Sequence, residues 1–376
     1  MKKSANARKD QPRKAARYHG RTDVRIEDID HQPLREGTVR IDVAWCGLCG
    51  SDLHEYLEGP FACPPPERPN AVTGESMPVT LGHEFSGVIS EVGAGVSDLE
   101  VGDHVVVEPY LLPDSVDTSD NNPTYHLTPG LNFLGFGGGG GGLQENVVVP
   151  RRWVHKVSEQ VPLDEAALIE PASVAFHAVE RAGITADNAA GKTALIGGAG
   201  PIGLLTAAVL KALGARVIVS EISDLRRAKA LESGVADVAL DPRKDDVVAE
   251  VRKLCDARGA DVGFECTSVQ VVLDTLLDAV RPQGVITVLS IWVKPAALNL
   301  HKVVMRELEI RGTIGYVHTH PKVIALVESG KLDLRPFITA KIPLEALISE
   351  GFDTLIHHNE SAVKILVSPS GRGVES

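Results

Sequence analysis

From Thr193 to Thr313 short β-branched runs and helical patterns take turns along the chain, and this rhythm constrains the fold more than any other feature. TALIGGA is followed by PIGLLTAAVLKALGA, RVIVSE by SDLRRAKALESG, ADVALD by KDDVVAEVRKLCDARG, and ADVGFECT by VVLDTLLDAVRPQG and then VITVLSI. Strand and helix in turn, joined by short Gly or Asp turns, specify a parallel sheet covered by helices, a doubly wound α/β unit. The strands are continuous apolar runs, as expected when both faces are buried. In the first strand-to-helix turn, Gly198-Ala199-Gly200-Pro201-Ile202-Gly203 has the G-x-G-x-x-G spacing. Between the strand TALIG and the helix former LLTAAVLKAL it reads as a dinucleotide turn. The first glycine permits the bend, the second lets backbone approach a pyrophosphate, and the third lets helix and strand pack closely. Pro201 and Ile202 open the helix whose positive end faces the phosphates. Glu221 closes the next strand, where an acid accepts hydrogen bonds from the ribose 2′-hydroxyl and repels a 2′-phosphate. NAD is therefore expected over NADP, with Arg226 in the following loop able to offset part of that repulsion.

Upstream, from about Lys14 to Ala167, Gly and Pro are dense and short alternating stretches such as TVRIDVAWCG and GVISEVG dominate, an all-β texture with long loops. Two compact units suit a chain of 376 residues. The expected division is a β-rich unit over 14–174, a nucleotide-binding unit over 175–313, a return of 314–376 to the first unit, and a solvated basic tail over 1–13. GFGGGGGGLQ, Gly135 to Gln144, lacks a following Lys-Ser/Thr and precedes a strand-like ENVVV, so it reads as a flexible turn and not a phosphate loop. Lys plus Arg number 38 against 50 Asp plus Glu, a net charge of −12 that argues against a nucleic-acid surface. No run of roughly 18 apolar residues is present to span a bilayer. No apolar block follows the basic N-terminus as a secretory signal requires. Five cysteines (Cys46, Cys49, Cys63, Cys255 and Cys266) are too few and too scattered for a disulfide framework, and fit a reducing cytoplasm.

The second chemical signal is GLCGSDLH, Gly47 to His54, with GHEFSG, Gly82 to Gly87. Thiolate, imidazole and carboxylate are the ligands zinc takes. Cys49, His83 and Glu84 lie in two Gly-bounded segments of the β-rich unit, beside a nucleotide unit, and that conjunction points to a metal centre. A Cys46-x-x-Cys49 knuckle is the rival arrangement.

GHEFSGVISEVGAGV, with CGLCGSDLHEYLEGP, IEPASVAFHAV, GGAGPIGLL and the ending EGFDTLIHHNESAVKILVSP, resembles the zinc-dependent medium-chain alcohol and polyol dehydrogenases, most of all the 2,3-butanediol branch. The resemblance runs from about Lys14 to Pro369. It implies a GroES-like β-rich catalytic domain plus a Rossmann domain. It makes Cys49 and His83 zinc ligands, with Cys46 a neighbour, and puts Glu84 and Glu170 near the metal, relatives differing over which completes the site. Asp52 would orient the ligands. Ser51 would take the hydroxyl proton, with His54 the outer member of a relay to solvent, while hydride passes to the nicotinamide. Cys266, Thr267 and Ser290 match positions that meet the cofactor. Many relatives hold a second, structural zinc with four cysteines, yet Tyr110 to Phe133 contains none, so one zinc per chain is expected. The implied reaction joins a vicinal diol to its hydroxyketone: butanediol, acetoin and diacetyl. A sorbitol-type polyol or threonine dehydrogenase is the alternative within the family. Outside that reading stand a metal-free quinone-type reductase and a non-catalytic nucleotide-binding protein. A homodimer or homotetramer is implied by resemblance alone. His177 is expected in the core, and Cys63, Cys255 and Cys266 are expected to be unreactive.

Overall fold

Six parallel strands form one sheet among the described residues, which in this computed structural model are 12–360 and 362–374. Across the sheet the strands run Val238–Leu240, Arg216–Ser220, Thr193–Gly197, Ala260–Glu265, Val280–Val288 and Glu309–Gly312, each parallel to its neighbour. The third, second and first strands in chain order thus lie on one side and the fourth to sixth on the other. This order places the topological switch between Thr193–Gly197 and Ala260–Glu265. The helices Pro201–Ala212, Asp224–Glu232, Val247–Leu254 and Gln270–Ala279 fall between the strands. Ser223 and Asp246 cap two of them, accepting from the backbone N–H groups of Arg226 and Ala249. Leu195, Ile218, Val251, Leu276, Leu277 and Ile286 pack into one buried cluster.

The chain divides into two units, Met1–Glu170 with Ile338–Ser376, and Pro171–Phe337. Residues 314–337, expected in the first unit, group with the second. Their helix His320–Glu328 buries Val323, Ile324 and Val327, and Lys322 Nζ pairs with Glu180 at 2.6 Å. Apolar periodicity reports that a helix has a buried face but not which unit covers it. From residue 338 the tail does rejoin the first unit. Residues 1–11 of the basic tail lie outside the described residues, and Arg13 opens the first strand, with its guanidinium on the Asn146 carbonyl.

The β-rich unit is organised on the strand Thr38–Gly47, which pairs antiparallel with Glu84–Val92, Asn146–Pro150 and the terminal strand Lys364–Ser368. Ile338–Pro343 adds in parallel to the terminal strand. The Gly-rich stretch is no loose turn. Gly142 N–H bonds the Gly82 carbonyl and Leu143 N–H that of Leu81, both 2.7–2.9 Å, and 140–144 are buried. The cysteine-free lobe is packed by rings: Tyr110 lies 5.2 Å from Phe133, 5.9 Å from Tyr125 and 5.8 Å from Trp153 between centroids. Tyr125 donates its hydroxyl to the buried Glu108 carboxylate at 2.5 Å. Buried aromatic contacts of this kind hold a lobe together through area and ring geometry.

Candidate active site

Register in the β-rich sheet assembles the candidate metal ligands. Gly47 sits opposite Glu84, and the terminal strand places Leu366 opposite Gly47, so that Lys364 lies two residues before the same junction. A Cβ on Gly47 would collide with Glu84 Oε2, which is why this position takes glycine. Beyond it the chain turns into the helix Gly50–Glu58 with Cys49 at its N-cap. The fully buried Asp52 accepts the Cys49 backbone N–H at 3.0 Å, fixing the thiol-bearing residue at the positive end of the helix. The other Asp52 oxygen faces His83 Nδ1 at 3.5 Å, leaving Nε2, 3.3 Å from Ser51 Oγ, for a metal. Phe136 packs on the imidazole with ring centroids 4.9 Å apart.

Ligand atoms of Cys49, His83 and Glu84 all lie within 4.8 Å of one another. Soft sulfur from one segment and imidazole and carboxylate from consecutive residues of another, with one ring nitrogen oriented by a carboxylate, fit a tetrahedral zinc site with an open position. Burial works against a proton on His83, but Asp52 and then Cys49 outweigh it and hold the imidazole well above its ordinary range. Proton and metal therefore compete for this ring. Glu170, at the head of the helix Ile169–Arg181, is buried but not part of the 4.8 Å group. His54 is on the exposed face of its helix, one turn beyond Ser51.

Lys364 went unrecognised in the sequence. Its ammonium is 2% exposed and donates to Glu84 Oε1 and Oε2 at 2.6 and 2.5 Å and to the Leu48 carbonyl at 3.0 Å. Burial lowers its proton affinity, yet the charges of Glu84 and Cys49 and the bond to Glu84 more than reverse this, so it stays ammonium. The signal was a single lysine inside the apolar run AVKILVSP.

The nucleotide unit builds a second set of contacts. Gly198 has φ +97°, open to glycine at little cost, and a Cβ there would strike Thr267 Cγ2. A Cβ on Gly203 would strike the Gly198 carbonyl. Gly200 is the N-cap and Pro201 the first residue of the helix. Glu221 accepts the Ala199 N–H at 2.7 Å and the Ser223 N–H at 2.9 Å, which ties the acid to the glycine turn. Arg226 gives its backbone N–H to the Ser223 cap, while it is Arg227, unremarked in the sequence, that reaches the Glu221 carbonyl at 2.6 Å. Cys266 N–H bonds the Gly197 carbonyl, and Ser290 and Thr267 both bond the Glu265 carboxylate. A tight glycine turn at a topological switch, with an acid ending the adjoining strand, fits a dinucleotide. Burial pushes the thiols of Cys63, Cys255 and Cys266 up, and His177 is buried.

The chain matches the model of the alcohol dehydrogenase GroES-like domain over residues 35–159 and that of the zinc-binding dehydrogenases over 201–329. It is 57% identical to an (R,R)-butanediol dehydrogenase of Neisseria gonorrhoeae, across 95% of this chain and 99% of that protein. It belongs to the zinc-dependent medium-chain alcohol and polyol dehydrogenases. A Bacillus subtilis (R,R)-butanediol dehydrogenase is 43% identical over 95% of this chain and 100% of its own. The crystal structure of 2R,3R-butanediol dehydrogenase from Bacillus subtilis superposes with a TM-score of 0.88 at 42% identity, covering 95% of this chain and 99% of that one. Sorbitol dehydrogenase of Macaca fascicularis shares 31% over 89% of this chain and 90% of its own. The chain is thus an alcohol dehydrogenase acting on a small molecule with zinc and a nicotinamide cofactor. No described helix is long and apolar enough to cross a membrane.

Proposed function

We propose that the enzyme interconverts 2,3-butanediol with acetoin, and acetoin with diacetyl, using NAD(H) and one catalytic zinc per chain. The carrying observation is the Cys49, His83 and Glu84 group within 4.8 Å, in a chain 57% identical to an (R,R)-butanediol dehydrogenase over 95% of its length. A probable diacetyl reductase of Saccharomyces cerevisiae, 33% identical, supports the second step. The sorbitol dehydrogenases lie lower, at 30–31% identity.

Zinc supplies Lewis-acid polarisation of the substrate oxygen, and the nicotinamide takes or returns the hydride. Cys49 and His83 hold the metal, with Glu84 or Glu170 as the carboxylate that completes or exchanges at the site. Asp52 orients His83 through Nδ1 and Cys49 through its backbone N–H. Ser51 Oγ, beside His83, would accept the hydroxyl proton while giving up its own, and the exposed His54 would be the outer member of a relay, through the cofactor ribose, that delivers a proton to water. Gly198, Gly200, Pro201, Ile202 and Gly203 receive the pyrophosphate. Glu221 takes the ribose hydroxyl beside Arg226, and Cys266, Thr267 and Ser290 line the far half of the cofactor.

The absence of cysteine between Tyr110 and Phe133, and the ring packing there, support a single zinc. A homodimer or homotetramer is supported by Ile291, Val293, Leu300, Val304, Met305 and Ile314, exposed apolar side chains leading into and out of the edge strand Glu309–Gly312. Five free cysteines support a reducing cytoplasm. The test is NADH formation with each butanediol stereoisomer, sorbitol and threonine, alongside metal analysis. Butanediol leading by kcat/KM with about one zinc per chain is expected, whereas sorbitol or threonine leading overturns the substrate, and two zincs overturn the metal count.

A further inference from the structure

We propose that Glu265 is a positioning residue for the nicotinamide half of the cofactor, one buried carboxylate that fixes the two loops 266–269 and 289–292. Glu265 ends the strand Ala260–Glu265 and is fully buried. Its Oε1 accepts the Thr267 N–H at 2.7 Å, the Thr267 hydroxyl at 2.6 Å and the Ser268 N–H at 3.0 Å. Its Oε2 accepts the Ser290 hydroxyl and, at 3.1 Å, the indole N–H of Trp292. Ser268 closes the ring, giving its N–H to Ser290 Oγ at 3.1 Å and its hydroxyl to the Ile291 carbonyl at 3.0 Å. A carboxylate offers about four acceptor sites on its two oxygens, so all of its capacity is spent on these loops.

In the second loop Ile291 is 72% exposed, Trp292 packs in part against the buried cluster, and the Leu289 and Ser290 N–H groups bond the Glu265 backbone carbonyl at 2.9 and 3.3 Å. To that backbone and ring packing the carboxylate adds the tie that orients the Ser290 hydroxyl and the Trp292 indole N–H. Their place in the sheet gives the tie its consequence. A dinucleotide lies outside the carboxyl ends of the strands, across the switch between Thr193–Gly197 and Ala260–Glu265. Glu221 and the glycine turn serve the half over Thr193–Gly197 and Arg216–Ser220. The other mononucleotide half lies over Ala260–Glu265 and Val280–Val288, whose outgoing loops are the two that Glu265 holds. Thr267 also abuts Gly198, so a shift of the loop alters the crevice itself. The inference rests on the cofactor site proposed above.

Glu265→Gln is the test, because it keeps shape and one acceptor oxygen but turns an NH2 against donors. NADH and ADP-ribose are titrated calorimetrically, and Trp292 emission is read in cofactor-free protein as the difference from Trp292→Phe. Expected are a shifted Trp292 emission, NADH bound about tenfold more weakly, as for one charge-assisted hydrogen bond lost, and ADP-ribose affinity unchanged within about twofold. Equal weakening of both ligands, or no weakening of NADH, overturns the proposal, as does an unchanged Trp292 emission. A parent enzyme that binds neither ligand overturns the cofactor site and this inference together, and that result is read before the variant is made.

Discussion

Lys364→Met removes the cation from the buried pair with Glu84 while keeping an unbranched chain of similar length. The parent ammonium makes bonds of 2.5–3.0 Å to two carboxylate oxygens and a carbonyl, with both side chains about 2% exposed, so solvent cannot replace it. Stranding one member of such a pair costs about 3–5 kcal/mol. In a unit of this size each kcal/mol moves Tm by about 2–4 °C, which puts the loss near 6–20 °C. Calorimetric melts of the first unit in EDTA should show that drop. Saturating zinc should restore at least half of it, because a divalent cation beside Glu84 supplies the missing positive charge. Lys364→Met/Glu84→Gln, which removes both charges, should be more stable than the single variant in EDTA. A single variant within about 2 °C of the parent, or a double variant no better than the single, would refute the reasoning.

Cys49→Ala should lose zinc on dialysis and lower kcat by at least about a thousandfold, with NADH titration within about twofold of the parent; retained zinc and turnover would remove the thiolate from the ligand set. Glu221→Ala should raise kcat/KM for NADP relative to NAD by about tenfold or more, since the ribose acceptor and its repulsion of a 2′-phosphate vanish together; an unmoved ratio contradicts the assignment. Burial raises the carboxyls of Asp237 and Asp261, but bonds from Lys211 and the Val217 N–H, and from the Thr193 N–H and Arg281, leave both below the usual range. Their contribution is complete above the unfolded value of about 4 and is lost as pH falls through the lower folded values. Urea midpoints of the second unit should drop below about pH 4, and Asp261→Asn should flatten that limb; equal acid slopes in parent and variant would count against it.

The features readable in the sequence are those whose cause is local. Strand and helix alternation, the turn at Gly198–Gly203 and the acid at Glu221 each follow from a few consecutive residues, and the structure has the parallel sheet, the glycine turn and an acid bonded to it in those places. Cys49 and His83 are legible because a glycine-bounded segment surrounds each. Lys364 is not, because its partner Glu84 is 280 positions away and only the sheet register joins them. Glu265 is hidden for a related reason: an acid at the end of GFECT gives no hint that the donors of Trp292, 27 residues on, converge on it. The boundary near 314 fails because a helix with an apolar face carries no label for the surface that covers it.

The late arrival of residues 364–368 has a consequence for biosynthesis. A ribosome releases the Rossmann segment with all six of its strands before it has made the last strand of the sheet that bears Cys49 and Glu84. The cofactor half can therefore fold co-translationally on its own, whereas the metal half waits for the polypeptide to be nearly finished. Until Lys364 emerges, Glu84 lacks this countercharge and the Cys46–Gly47 end of the central strand lacks its last partner, so a prematurely terminated chain would present NAD-binding fold without a competent catalytic pocket.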